Sequence, residues 1–172
     1  MGIFNADTWL GSNRSIRLDP YNLNNTRNIR NVDKAFYNCG GYALNLFSWY
    51  CPWEADEEAD TPLSRAYDDG EYFDDDEMFA PTMRCVQYMM AEIPTLRLLT
   101  GIHDELQKNE YMLAFRISYD GDFHFMKRAD NGVWYHKQGG SSYIRKATTQ
   151  EVLDIWCGRY DGPLVFFANT KK

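Results

Sequence analysis

A chain of 172 residues, 44% hydrophobic and 16% aromatic, suits one domain with an ordinary core and excludes disorder throughout. No apolar stretch approaches the ~20 residues that span a bilayer. The start MGIFNADTWLGSNR lacks the basic segment, apolar centre and small-residue cleavage site of a secretory signal. Gly2 is followed at position 6 by Ala6, where myristoylation favours Ser or Thr. A cytoplasmic protein without membrane contact is the expectation.

The formal net charge of −7 is unevenly placed. Between Glu54 and Glu77 stand 12 acids and a single base, Arg65. The remaining 13 acids (25 less 12) face 17 bases (18 less one). The acidity therefore belongs to an insert at about 54–77, and it has a docking use if the partner is a basic protein. Asp68, Asp69, Asp74, Asp75, Asp76 and Glu77 are the docking candidates. Its DDDE does not have the spacing of an EF-hand calcium loop.

Four cysteines (Cys39, Cys51, Cys85 and Cys157) form no C-x-x-C pair, and the chain has three histidines. No metal or other cofactor is expected from this spacing. Cys85 in MRCVQYMM and Cys157 in LDIWCG stand among apolar residues and read as buried free thiols.

Along the chain, residues 1 to about 34 are polar and read as irregular. Asn38 is a good N-cap, Tyr42, Leu46 and Trp49 recur at helical spacing, and Pro52 stops the run. This spacing predicts a helix from Cys39 to about Tyr50. A second helix is expected over APTMRCVQYMMAEI, with Pro81 in its first turn and Pro94 ending it. GIHDELQKNE has room for a short helical turn. Leu113, Phe115, Ile117 and Tyr119 alternate as a half-buried strand does. DFHFMKRADNGVWYHKQGG reads as a hairpin turning at Asp130-Asn131-Gly132, TTQEVLDIWC as a helix with a capping box, and GPLVFFAN as a last strand. Helices first and an antiparallel sheet afterwards means α+β, in one domain.

The hairpin decides what its histidines can do. A three-residue loop with Gly132 in a left-handed bulge pairs Ala129 with Val133, and puts His124 and His136 diagonally on one face. A two-residue Asn131-Gly132 loop puts them on opposite faces. Each histidine alone has an ordinary reading, His124 as a half-buried strand residue between phenylalanines and His136 as a partly exposed one. His103 reads as surface.

Cys39 changes the weight of that pair. A cysteine in the first turn of a helix has its thiolate favoured by unpaired amides and the helix dipole. Gly40 and Gly41 leave room for a substrate backbone and amides for a developing oxyanion. A base on a strand, held by a third polar group, completes the arrangement used for acyl transfer.

Together, NCGGYAL, DFHF and YHKQGG resemble the papain-like cysteine hydrolases, and the order Cys, His, His is most similar to their NlpC-type amidase branch. The resemblance covers about residues 36–140. It implies a papain-like α+β fold, with the helix that carries the cysteine packed on a small antiparallel sheet. It also implies Cys39 as nucleophile, His124 as general base and acid, and His136 as the residue that orients it. Tyr37 or Asn38 would help to form the oxyanion site, and Gln138 and Asn131 are rival orienters. Without a cell-wall-binding module, the expected substrate is a peptide or protein amide bond. The same triad serves an acyltransferase if an amine takes the acyl group. The alternative of another class is an acidic binding or inhibitory protein on a degenerate hydrolase fold, for instance a virus-encoded mimic of nucleic-acid charge. Direct nucleic-acid readout is not expected, since RNIRNVDK and MKR supply few bases.

Overall fold

The structure is a computed structural model. It describes residues 38–46, 48–53, 78–118, 121–137, 144–154, 156, 160 and 162–171, and the backbone alone at 16–18, 26–28 and 75–77. The elements in chain order are β1 (Ile16–Leu18), β2 (Thr26–Asn28), α1 (Cys39–Ala43), α2 (Asp75–Glu92), β3 (Arg97–Leu99), β4 (Glu110–Ile117), β5 (Phe123–Arg128), β6 (Trp134–Lys137), β7 (Ile144–Ala147), α3 (Thr149–Leu153) and β8 (Val165–Thr170).

Six strands form one antiparallel sheet in the order β3-β8-β4-β5-β6-β7, and β1 pairs with β2 separately. The α+β reading holds at this level, with mixed helix and antiparallel sheet. β1 and β2 correct the expectation that the first 34 residues are irregular. The short edge strands β3 and β7 were also not foreseen, because three or four residues carry too little periodicity to read.

The sheet is covered on both sides. Odd-numbered residues of β4, β5 and β8, among them Leu113, Phe115, Phe123, Phe125 and Phe167, pack with Cys39, Ala43 and the α2 residues Met78, Cys85, Val86 and Met89. Even-numbered residues, among them Met112, Ala114, Met126 and Phe166, pack with Trp134, Val152 and Trp156. β4 is therefore buried from Tyr111 to Ile117, where alternation had suggested a half-buried strand. A central strand under two apolar layers loses the polar side that alternation normally reports.

α1 ends seven residues earlier than its apolar spacing suggests. Asn45 has φ 58°, the Leu46 amide donates to Gly41 O at 3.0 Å and the Asn45 amide to Tyr42 O at 3.3 Å. This is a Schellman closure with Asn in the left-handed position, a role Asn fills second only to Gly. α2 starts earlier than expected, at Asp75, so Pro81 lies inside it and the last acids of the 54–77 run are helical. Residues 54–74 of that run lie outside the described residues. α3 has the expected capping box: Thr148 accepts from the Glu151 amide at 3.2 Å, and Glu151 Oε2 accepts from the Thr148 amide at 2.6 Å. It ends at Leu153, short of the whole TTQEVLDIWC segment.

The hairpin takes the three-residue loop. The Ala129 amide donates to Val133 O at 2.8 Å, the Gly132 amide to Ala129 O at 2.9 Å, and Gly132 has φ 80°. The register continues as Arg128–Trp134 and Lys127–Tyr135. Any side chain at position 132 must accept a left-handed backbone. Gly132→Ala should cost about 1 kcal/mol, read in urea unfolding as a lower midpoint with unchanged m-value. An unchanged midpoint would mean the turn does not hold this register.

Candidate functional site

α1 has five residues, too few to be helical by itself. Asn38 anchors it from outside. Its Oδ1 accepts from the Gly41 amide at 3.0 Å and the Tyr50 amide at 3.2 Å, and its Nδ2 donates to Tyr50 O at 2.7 Å. One buried amide side chain thus caps the helix and ties it to the chain 12 residues on. Gly40 is needed at the same contact, where a Cβ would sit 3.0 Å from Tyr50 Cδ1 and 3.2 Å from Tyr50 O. Asn38 and Gly40 therefore have packing roles whatever else they do. Asn38→Ala would remove the side chain that pairs with both the amide and the carbonyl of Tyr50.

Cys39 directly follows this cap and is 3% exposed. Its Sγ donates to Phe123 O at 3.7 Å. Burial pushes its pKa up to about 12, and Asp122 adds to the rise. Hydrogen bonding from the Phe125 and Gly40 backbones and the charge of Lys137 act the other way without overcoming it. The thiol is protonated at neutral pH in this conformation.

The two histidines meet on one side of the β5–β6 pair. His124 Nε2 and His136 Nδ1 are 2.8 Å apart, and the rings are edge to face, with centroids 4.9 Å apart at 83°. Both are buried. Desolvation brings the His124 pKa down to about 3, helped by Arg145, and lowers His136 through burial, His124 and Arg145. Two neutral imidazoles make such a bond with one donating and the other accepting. The His124 ring also lies 5.3 Å from Tyr160 at 32° and 5.9 Å from Trp156 at 85°. Tyr160 is fixed by donating its hydroxyl to Asp122 Oδ2 at 2.7 Å.

Strand alternation separates the thiol from this pair. Cys39 packs with Phe123 and Phe125, the two neighbours of His124, on the α1 face of β5. His124 projects to the other face, where Trp156 lies. Cys39 thus reaches the backbone next to His124, and its thiol donates to Phe123 O rather than to the imidazole. The structure brings His124 and His136 together, and places Cys39 against the same strand from the opposite side.

The other candidates fall as follows. Asn131 is exposed at the hairpin tip, where its Oδ1 accepts from the Val133 amide at 3.0 Å. That removes it as a rival orienter of His124, because the three-residue loop places it at the far end of β5. Tyr37, Gln138, Asp68, Asp69, Asp74 and Cys157 lie outside the described residues, as do the side chains of Asp75, Asp76 and Glu77. Cys85 is a buried free thiol, as expected, and His103 is exposed.

Sequence reading missed Lys127, Lys137, Asp122, Trp156 and Tyr160. Lys127 is fully buried on the α1 face and donates to Tyr42 O at 2.8 Å and Asn45 Oδ1 at 2.7 Å, with Nζ 3.9 Å from the Tyr42 ring centroid. A buried ammonium is tolerable only with such partners. The one available signal was a lysine inside an aromatic strand, in FHFMKR and WYHK.

Because both histidines are held neutral, the unfolded chain binds more protons than the folded one below the ordinary pKa of 6.5. Their contribution is fully present above pH 6.5 and is lost as pH falls from there toward the folded His124 value of about 3. Well inside that window His124 should add a slope approaching about 1.4 kcal/mol per pH unit, and His136 acts in the same direction. Urea midpoints measured just below neutrality should fall with pH, and less steeply in His124→Gln. An equal slope in that variant would mean the pair is not neutral in the folded chain.

Comparison with protein-family models, curated proteins and solved structures finds no match for this chain.

Proposed function

We propose that the protein is a papain-like cysteine peptidase or amidase that works through an acyl-enzyme on Cys39. The observation that carries this reading is the 2.8 Å bond between His124 Nε2 and His136 Nδ1, beside a cysteine that heads a helix against the strand bearing His124. A base held by a second imidazole is oriented by it, and Nε2 is the nitrogen so engaged, so Nδ1 is the one to take the thiol proton. His124 and Cys39 lie on opposite faces of β5, an interior strand, so that contact requires the backbone at the start of β5 to turn His124 toward α1. Sulfur then attacks the amide carbonyl as His124 accepts the proton, and the imidazolium returns it to the leaving amine. Water, activated by the now neutral His124, releases the acid. The substrate class is a peptide or protein amide, and an amine in place of water would make the product a transferred amide.

A second reading is favoured by the burial of Cys39 and its pKa of about 12, which leave almost no thiolate at neutral pH. On that reading the scaffold no longer catalyses and the protein acts as an acidic binding or inhibitory protein, docking a basic partner through 54–77.

Intact-mass analysis after reaction with an N-acyl amino-acid thioester separates the two. A hydrolase should acquire a transient acyl adduct on Cys39, absent in Cys39→Ser. Acylation should slow by roughly 100-fold in His124→Ala, as loss of a general base does, and by less in His136→Ala. Adding glycinamide should divert the acyl group if the enzyme is a transferase. Equal labelling of Cys51 and Cys39, with no effect of His124→Ala, would remove the hydrolase reading and leave the binding one.

A further inference from the structure

A cavity of about 250 Å³ lies at the turn end of the β5–β6 hairpin, lined by Leu106, Glu110, Arg128, Ala129, Asp130 and Gly132, together with Tyr111. It sits at the opposite end of β5 from His124 and is independent of the hydrolase reading. The charges in its wall do not cancel. Glu110 is occupied: Oε1 accepts from Arg97 Nε at 3.1 Å, while Oε2 accepts from Arg97 Nη2 at 2.6 Å and from the Gln107 amide at 2.7 Å. Asp130 is also occupied, with Oδ1 held by Lys171 Nζ at 2.6 Å. Among the described residues Arg128 is in neither ion pair, and its half-buried guanidinium lies over the turn, Nη2 being 3.8 Å from where a Cβ on Gly132 would stand. Arg97 and Lys171 neutralise the two carboxylates, which leaves one positive charge facing the cavity.

We infer that this cavity binds a small organic monocarboxylate, with its carboxylate on the Arg128 guanidinium and its apolar part against Leu106 and Ala129. Guanidinium stays charged at every working pH and presents two parallel N–H donors that match the two oxygens of a carboxylate. The wall also selects against larger charge. Arg97 and Lys171 are already taken by Glu110 and Asp130, so the second charge of a phosphate brought to Arg128 would find no cation to meet it. The volume exceeds the ~150 Å³ of a cavity that holds benzene, admits about ten non-hydrogen atoms, and falls below the usual range for drug-sized ligands. A short branched acid satisfies all three constraints.

Isobutyrate and its uncharged isostere isobutyramide are the probes, titrated into the full chain and followed by amide NMR shifts at constant ionic strength. Isobutyrate should bind saturably at millimolar concentration, with shifts centred on Arg128, Ala129 and Gly132, and isobutyramide should not. Arg128→Gln should weaken isobutyrate by roughly tenfold or more. Lys171→Gln leaves Arg128 in place but releases Asp130, which then competes for the guanidinium, so it should weaken binding as well. Inorganic phosphate should bind less tightly than isobutyrate. Non-saturating shifts, an equal response to the amide, tighter binding of phosphate, or undiminished affinity in folded Arg128→Gln would each overturn the proposal.

Discussion

The turn at Asp130–Gly132 is the constraint on which the rest of the sheet's chemistry depends. Gly132, at φ 80°, lets three residues close the hairpin with Ala129 and Val133 paired. That count sets the parity of β5 against β6, and side chains in a strand alternate without exception. Met126, His124, Trp134 and His136 then share one side, and Phe123, Phe125, Lys127 and Tyr135 the other. One residue fewer in the turn would have sent the two histidines to different layers.

The same parity distributes buried polar groups between two apolar layers, and each layer handles them differently. On the α1 side a carbonyl, an amide oxygen and an aromatic face replace the water that burial takes from the Lys127 amine. On the α3 side Arg116 donates to Gly162 O at 2.8 Å and Leu153 O at 3.1 Å, and lies 5.6 Å from the Trp156 ring centroid. Burial leaves the histidines beside it neutral. The Cys39 thiol is resolved in the same way, by staying protonated. The three groups are thus held in their uncharged forms by desolvation.

Much of the fold was legible because it was written in local patterns. Asn38 as cap, the Thr148–Glu151 box, the hairpin and its glycine, and the β4 and β8 strands all follow from residue types at short spacing. The failures were local as well as tertiary. Asn45 closes α1 through a left-handed conformation that competes with an apolar spacing running on to Trp49. β4 looked half-buried, since alternation reports a wet face only when one exists. β3 and β7 were too short to announce themselves.

For the candidate site, sequence determined which groups could act: a cysteine behind an N-cap and two histidines of equal parity on a hairpin. It could state the alternatives for the turn but not choose between them, because both loops satisfy the same Asn-Gly signal. Tertiary structure made that choice and added what no spacing encodes. It brought Tyr160 and Trp156 against His124 from a distant part of the chain, tied Tyr160 to Asp122, and set Cys39 on the far side of β5. The physical reason is that residue identity and local geometry fix what a side chain can donate or accept, whereas its protonation and its neighbours depend on which layer buries it. That depends on how the whole sheet packs.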